Sequence, residues 1–220
     1  MVHLQKEIAG LKTRILSLGG KVEENLWRSV RALEEGDEEL AREAIAADAE
    51  IDGLEVEIEE ECLKALALHQ PVAVDLRFIV AVLKINNDLE RIGDLAVNIA
   101  RRAKTLAKGT EVDEPYDLGG MAADVRDMLR RSLDALVNLD VELAEAVCRD
   151  DDAVDKRHRK TWKRIAARVE RHPGDYPALS QIQSASNHLE RIADLATNIA
   201  EDVIYMVEGR IVRHGADKEV

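Results

Sequence analysis

The sequence predicts an all-α protein made of two tandem, sequence-related three-helix bundles, six helices in all. Three observations carry this. A fourteen-residue stretch occurs twice, as NDLERIGDLAVNIA from Asn87 to Ala100 and NHLERIADLATNIA from Asn187 to Ala200. Eleven positions are identical at an offset of one hundred residues, which marks an internal duplication. Within the repeat, Ile85, Leu89, Ile92, Ala96 and Ile99 recur at the spacing of an amphipathic helix seam. Finally, only six residues are aromatic and four are proline, while Ala, Leu, Ile, Val, Glu and Arg dominate, the composition of long packed helices.

The first helix is expected from about His3 to Glu35, where Leu4, Ile8, Leu11, Ile15, Leu18, Val22, Leu26 and Leu33 keep a heptad stripe. Gly19-Gly20 costs this helix about 2 kcal/mol of propensity and marks a place for a kink. Gly36-Asp37 provides a stop and the next N-cap. The second helix runs from about Glu38 to Leu68 and is ended by Gln70-Pro71. The third runs from about Val72 to Lys108 and carries the first ERIGD. Gly109 to Tyr116, without periodicity, reads as a linker.

The second half repeats the plan. Met121, Val125, Met128, Ser132, Ala135 and Leu139 seed a fourth helix ending near Asp140. A fifth spans about Val141 to Arg171. His172-Pro173-Gly174-Asp175-Tyr176-Pro177 is a strong break, and a sixth helix runs from about Ala178 to Glu208 with the second ERIAD. The expected domains are therefore residues 1–109 and 117–209, followed by a polar tail, 210–220.

A net charge of −13 excludes the basic surface that a nucleic-acid binder needs. The start has no secretory apolar region. The longest apolar run, Phe78 to Leu83, is far short of the roughly 20 residues of a membrane span. Cys62 and Cys148 form no metal-ligand or disulfide spacing and read as small buried or half-buried residues. A cytoplasmic protein follows.

Opposite the apolar seam, Glu90, Asp94 and Asn98 stack on one helix face with Asn87 beside them, and Glu190, Asp194 and Asn198 repeat the set. Two carboxylates at i, i+4 repel. Other positions read as exposed have drifted, Asp88 to His188, Arg101 to Glu201 and Arg102 to Asp202, so a face kept in both halves points to a chemical requirement. The alternative is a solvated face left alike by duplication. Folding the second and third helices antiparallel about Gln70-Pro71 sets Asp52 level with Glu90 and Asp48 level with Asp94. In the second half Asp155 comes near Asp194, and Asp151 near Asn198, within about one turn. Four carboxylates so close need a cation or raised pKa values. Hard oxygen donors suit Ca²⁺, Mg²⁺, Mn²⁺ or iron. The candidate metal ligands are thus Asp48, Asp52, Glu90, Asp94, Asn98, Asp151, Asp155, Glu190, Asp194 and Asn198. The competing reading pairs these acids with Arg91, Arg191 and other surface cations in weak exposed bridges.

ERIGD-LAVNIA, ERIAD-LATNIA, QPVAVDLRFI from Gln70 to Ile79 and the DAEID pair together resemble the PhoU family of phosphate-transport accessory proteins. The likeness covers essentially the whole chain in order. It implies six helices in two bundles and a cytoplasmic regulator that helps switch off phosphate-starvation signalling when phosphate is plentiful. It further implies action between a phosphate ABC transporter and a sensor histidine kinase, a homodimer, and membrane association only through partners. Metal clusters, iron among them, are implied at Glu90, Asp94, Glu190 and Asp194, and by extension at Asp48, Asp52, Asp151 and Asp155. The second half departs from the pattern, with HPGDYPALSQI in place of QPVAVDLR, and Asp150-Asp151-Asp152 leaves its ligand register open.

No enzyme is expected. A ferritin-type di-iron site would need Glu-x-x-His facing the core, whereas Gly93 and Ala193 stand three residues after Glu90 and Glu190. Nucleophile–base pairs, phosphate loops and H-E-x-x-H are lacking, and the six histidines read as scattered surface residues. A metal-free helical adaptor is the rival reading. The basic run Lys156, Arg157, Arg159, Lys160, Lys163, Arg164 and Arg168 spreads around its helix and reads as solvated surface, with an acidic partner or anionic lipid as the alternative.

Overall fold

A computed structural model describes residues 2–107 and 116–209. The expected tail, and all of the expected linker except Tyr116, lie outside the described residues. Among those described, six α-helices and one 3₁₀ turn are present, and no strand. Helices α1 (Val2–Glu35), α2 (Glu38–His69) and α3 (Ala73–Leu106) form the first half. Helices α4 (Leu118–Asn138), α5 (Val141–Arg171) and α6 (Tyr176–Glu208) form the second, with the 3₁₀ turn Pro173–Asp175 between the last two.

The helix ends follow local chemistry. Gly36 takes φ +66 after α1, and Asp37 Oδ1 accepts from Glu39 N at 2.9 Å and Leu40 N at 3.0 Å, capping α2. Asp140 caps α5 through Leu143 N at 2.9 Å. The α2–α3 turn is unusual, because Gln70 (φ 44) and Ala73 (φ 49) both lie in the left-handed region, which costs a Cβ-bearing residue about 1–2 kcal/mol. Helix α1 passes through Gly19-Gly20 without a break. A Cβ on Gly19 would overlap the Leu133 side chain of α4, so this glycine serves helix approach. α6 begins two residues earlier than expected because Pro177 occupies its first turn, where no amide donor is required.

The heptad stripe of α1 is core: Leu11, Ile15, Leu18, Val22 and Leu26 are all buried. One continuous apolar cluster runs from Ile8 to Met206, joining the two halves. The halves meet along two antiparallel contacts. Across the first, Lys84 reaches Asp202, Arg77 Nε donates to the Met206 carbonyl at 3.1 Å, and Arg102 reaches Gln181. Across the second, α1 meets α4, with Gly19 against Leu133 and Arg126 bonded to Glu23 at 3.3 Å. Helices α2 and α5 flank this centre, each packed on the repeat-bearing helix of its own half.

This arrangement corrects the reading of the drifted positions. Asp88 and Asp202 are buried, and His188 and Arg102 are half-buried, in or beside the α3–α6 seam. They differ between halves because each meets a different partner in the antiparallel seam, Asp202 the Lys84 ammonium and Arg102 the Gln181 amide. His3 and His172 are exposed as expected, whereas His69, His158 and His188 are half-buried. His69 pairs with Glu7 at 3.0 Å, and His158 Nδ1 lies 3.0 Å from Ser186 Oγ. His188 Nε2 is 3.3 Å from Ser184 Oγ. The two cysteines are free, Cys62 buried and Cys148 half-buried, as read from the sequence.

Candidate functional site

The apolar seam of α3 is buried throughout, which fixes the rotation of the helix and turns the repeated polar residues outward. Arg91 and Asp94 are exposed, and Glu90 and Asn98 are half-buried. On α6, Arg191 and Asp194 are exposed, and Glu190 and Asn198 are half-buried. Packing thus accounts for the seam and not for the acids. Gly93 lets α2 approach, since a Cβ there would stand 3.2 Å from Ile51 Cγ2 and 3.7 Å from Asp48 Oδ1.

The antiparallel fold brings the first four acids together. Burial raises the Asp48 carboxyl above its usual range, and Asp52 and Asp94 push it further while Arg101 opposes them. Glu90 is likewise raised by burial, then by Asp94, Asp52, Glu55 and Asp48. Glu55 joins this group although the sequence reading omitted it. Its signal was its place one turn after Asp52 on the same helix, and its side chain is held by Asn86 Nδ2 at 3.2 Å.

The second cluster is more strongly charged. Burial, followed by Asp194, Asp155, Glu190 and Asp152, pushes Asp151 up to about 6. Asp194 and Glu190 are raised by burial and then by neighbouring acids, with Arg191 opposing. Asp155 acts on both, so its expected meeting with Asp194 is present. Asp151, expected beside Asn198, feels Asp194 more than any other charge. Where the first half has Arg101, bonded to Asn98 at 3.0 Å, the second has Glu201. Burial, Glu201 and Asp151 push the Cys148 thiol up to about 11, so it stays protonated.

One acid of each group, Asp94 and Asp194, borders a common recess, a relationship that helix spacing within either half does not contain. Arg91, Asp94, Leu95 and Asn98 of α3 line an open recess of about 350 Å³ together with Arg191, Asp194, Leu195 and Asn198 of α6. The same four positions of each half line it, related by a pseudo-two-fold of the antiparallel pair that sets Asp94 level with Arg191 and Asp194 level with Arg91. Carboxylate and amide oxygens of this kind match hard cations in donor type. Among the described residues, however, no three Asp, Glu, His or Cys side chains converge as a ready-made cage. No described helix is long and apolar enough to cross a membrane.

The QPVAVDLR segment spans the α2–α3 turn and exposes Val72, Val74 and Leu76, beside the exposed Leu68 at the end of α2. Its counterpart in the second half is the 3₁₀ turn, where Tyr176 is exposed. The seven-residue basic run divides. Arg157 turns to Asp117 and Asp124, and Arg168 bonds Asp175 at 2.7 Å. The others share one face.

A family model described as the PhoU domain matches this chain twice, at residues 15–103 and 118–203. A phosphate-specific transport system accessory protein PhoU homolog of Pseudomonas putida is 37% identical over 209 residues, spanning 94% of this chain and 82% of that protein. A homolog with the same description from Aquifex aeolicus is 37% identical over 218 residues, 99% of each chain. The crystal structure of PhoU from Pseudomonas aeruginosa superposes with a TM-score of 0.91 at 36% identity, covering 94% of this chain and 99% of that one. The phosphate transport system regulatory protein PhoU from Streptococcus pneumoniae superposes at 0.89 and 29% identity, covering 95% and 99%. The unit duplicated in this sequence is the one that the family model matches in both halves, and the chain belongs to the PhoU family.

Proposed function

We propose that the protein regulates phosphate uptake and phosphate-starvation signalling from the cytoplasm, by binding rather than by chemistry of its own. Its partners would be the cytoplasmic part of a phosphate ABC transporter and a sensor histidine kinase, which it holds in the repressed state, itself as a homodimer. Relatives across the full length of the chain are described as accessory proteins of phosphate-specific transport systems, and this supports the transporter side. The exposed apolar turn of Leu68, Val72, Val74 and Leu76 supports a protein contact outside the acidic face.

The observation that carries the site is a carboxylate group gathered in each half, with Asp48 and Glu90 in the first and Asp151, Glu190 and Asp194 in the second all held above their usual pKa range. The protein supplies too little positive charge there, and a divalent or trivalent cation would supply it. Asp48, Asp52, Glu90, Asp94 and Asn98 would hold metal in the first half, and Asp151, Asp155, Glu190, Asp194 and Asn198 in the second. Iron, manganese, magnesium and calcium all suit these oxygens. When bound, the ion would neutralise the acids and fix the α2–α3 and α5–α6 geometry that a partner reads. A metal-free adaptor is the second reading, favoured by the lack of a converged cage among the described residues.

The test is complementation of a strain lacking its own homolog, with a phosphate-starvation promoter as readout. The chain restores repression in high phosphate, and Glu90→Gln/Asp94→Asn does not. Failure of the unaltered chain contradicts the regulatory reading. Full repression by the variant contradicts the metal part alone.

A further inference from the structure

Helix α5 carries a straight basic stripe. Lys156, Arg159, Lys160, Lys163, Arg164 and Arg171 border one open recess of about 470 Å³ with the small Ala167 among them. At about 100° per residue these positions fall within one sector of the helix. The residues that α5 buries, including Val147, Val154, Thr161 and Ile165, lie on the opposite side. The stripe extends over sixteen residues, Lys156 to Arg171, about 22 Å of helix. Among the described residues of α5, Asp152, Asp155, bonded to Arg159 at 3.0 Å, and Glu170 are the acids beside it. Six cations against these three acids leave three positive charges on this face of a chain whose net charge is −13. Among the described residues, Lys156, Lys160 and Lys163 enter no salt bridge. Arg164 is occupied with the Tyr116 ring, 5.3 Å from its centroid.

We propose that this stripe docks the protein directly on the phosphate groups of an anionic phospholipid surface. Clusters of four to eight Lys and Arg are attracted to such surfaces by about 1 kcal/mol per residue. The composition favours lipid over a protein partner. Lysine is depleted from the cores of protein interfaces, and aromatic anchors are enriched there. The stripe has three lysines and no aromatic residue, and the exposed Trp162 lies off it, about 140° round the helix from Ala167 near the stripe's centre. A set of flexible ammonium groups over a small-residue floor suits many similar headgroups rather than one shaped surface. The membrane would then be reached by α5 as well as through partner proteins.

The test is co-sedimentation of the full chain with vesicles of phosphatidylcholine alone and of phosphatidylcholine with one-third phosphatidylglycerol. Binding to the anionic vesicles only is expected. It should fall at least fivefold in Lys156→Gln/Lys160→Gln/Lys163→Gln, and by a similar factor as NaCl is raised to 0.3 M. Arg42→Gln/Lys64→Gln/Arg149→Gln removes the same charge from exposed sites elsewhere and should bind as the unaltered chain does. No binding to anionic vesicles, or equal loss in both variants, overturns the proposal. Competition by millimolar inorganic phosphate would assign the recess to the free ion and overturn it too. So would a change in oligomeric state of the stripe variant without vesicles, which would make the face a contact between copies.

Discussion

Lys84 Nζ lies 3.0 Å from Asp202 Oδ1 across the seam between α3 and α6, and the Asp202 side chain is only 2% exposed. The same ammonium stands 5.4 Å from the Tyr205 ring centroid. This pair joins the two halves through a buried acid. Its duplicate positions are Ser184 and Arg102, so α3 carries the cation at both places and only the Lys84 site has an acid at the matching position of α6.

Lys84→Met should therefore destabilise the fold by about 1–3 kcal/mol, since it takes a charge-assisted partner from a buried carboxylate. Lys84→Met/Asp202→Leu should recover most of that loss. Urea denaturation at pH 7 of the three proteins measures it, and additive losses in the double variant would contradict the pairing.

The left-handed Ala73 gives a second prediction. Ala73→Gly relieves a φ of 49 and should stabilise the protein by about 0.5–1 kcal/mol net of the added freedom of glycine. Val74→Gly, one residue on inside α3, should destabilise by a similar amount. Thermal melts of both variants check the contrast.

Gly19 and Gly20 should behave oppositely despite their adjacency. Nothing lies within 4 Å of a Cβ on Gly20, so Gly20→Ala should add about 1 kcal/mol of helix stability and raise Tm by about 2–4 °C. Gly19→Val has to displace Leu133 and should cost about 1–3 kcal/mol.

The raised Asp151 gives a pH dependence in protein freed of metal by chelator. Its carboxyl, at about 6 in the folded protein, stands above the 3.8 of an ordinary aspartate. Between those values the folded state holds a proton that the unfolded state has released, so stability falls as pH rises through this window. Asp151→Asn removes the penalty. It should stabilise the protein at pH 7.5 and lose most of that advantage at pH 4. Denaturation at the two pH values reads the difference, and an equal effect at both would contradict it.

Much of the fold was legible because it rests on local periodicity. The heptad stripe of α1 and the seam of α3 specify their buried faces directly, and α5 has the expected bounds, Val141 to Arg171. The acids were legible for the complementary reason, as residues that the seam cannot use. What the spacing could not show was contact between the halves. Asp88 and Asp202 look like solvated positions on a helical wheel, and only the antiparallel meeting of α3 with α6 buries them. That meeting also sets Arg91 and Asp94 opposite Arg191 and Asp194. The stripe on α5 was hidden because Arg157 and Arg168, which blur it in sequence, turn aside to Asp117, Asp124 and Asp175.

The claim that the doubled carboxylate face holds cations is tested most directly by elemental analysis. The protein is purified without chelator or metal-binding tag, beside Glu90→Gln/Asp94→Asn/Glu190→Gln/Asp194→Asn, with circular dichroism as the check on folding. Metal retained by the unaltered chain and lost from the folded variant is the expected result, and it names the element. Absence of metal from both, even after incubation with Mn²⁺, Mg²⁺ and iron, would contradict the claim and leave the face as a protein-docking surface.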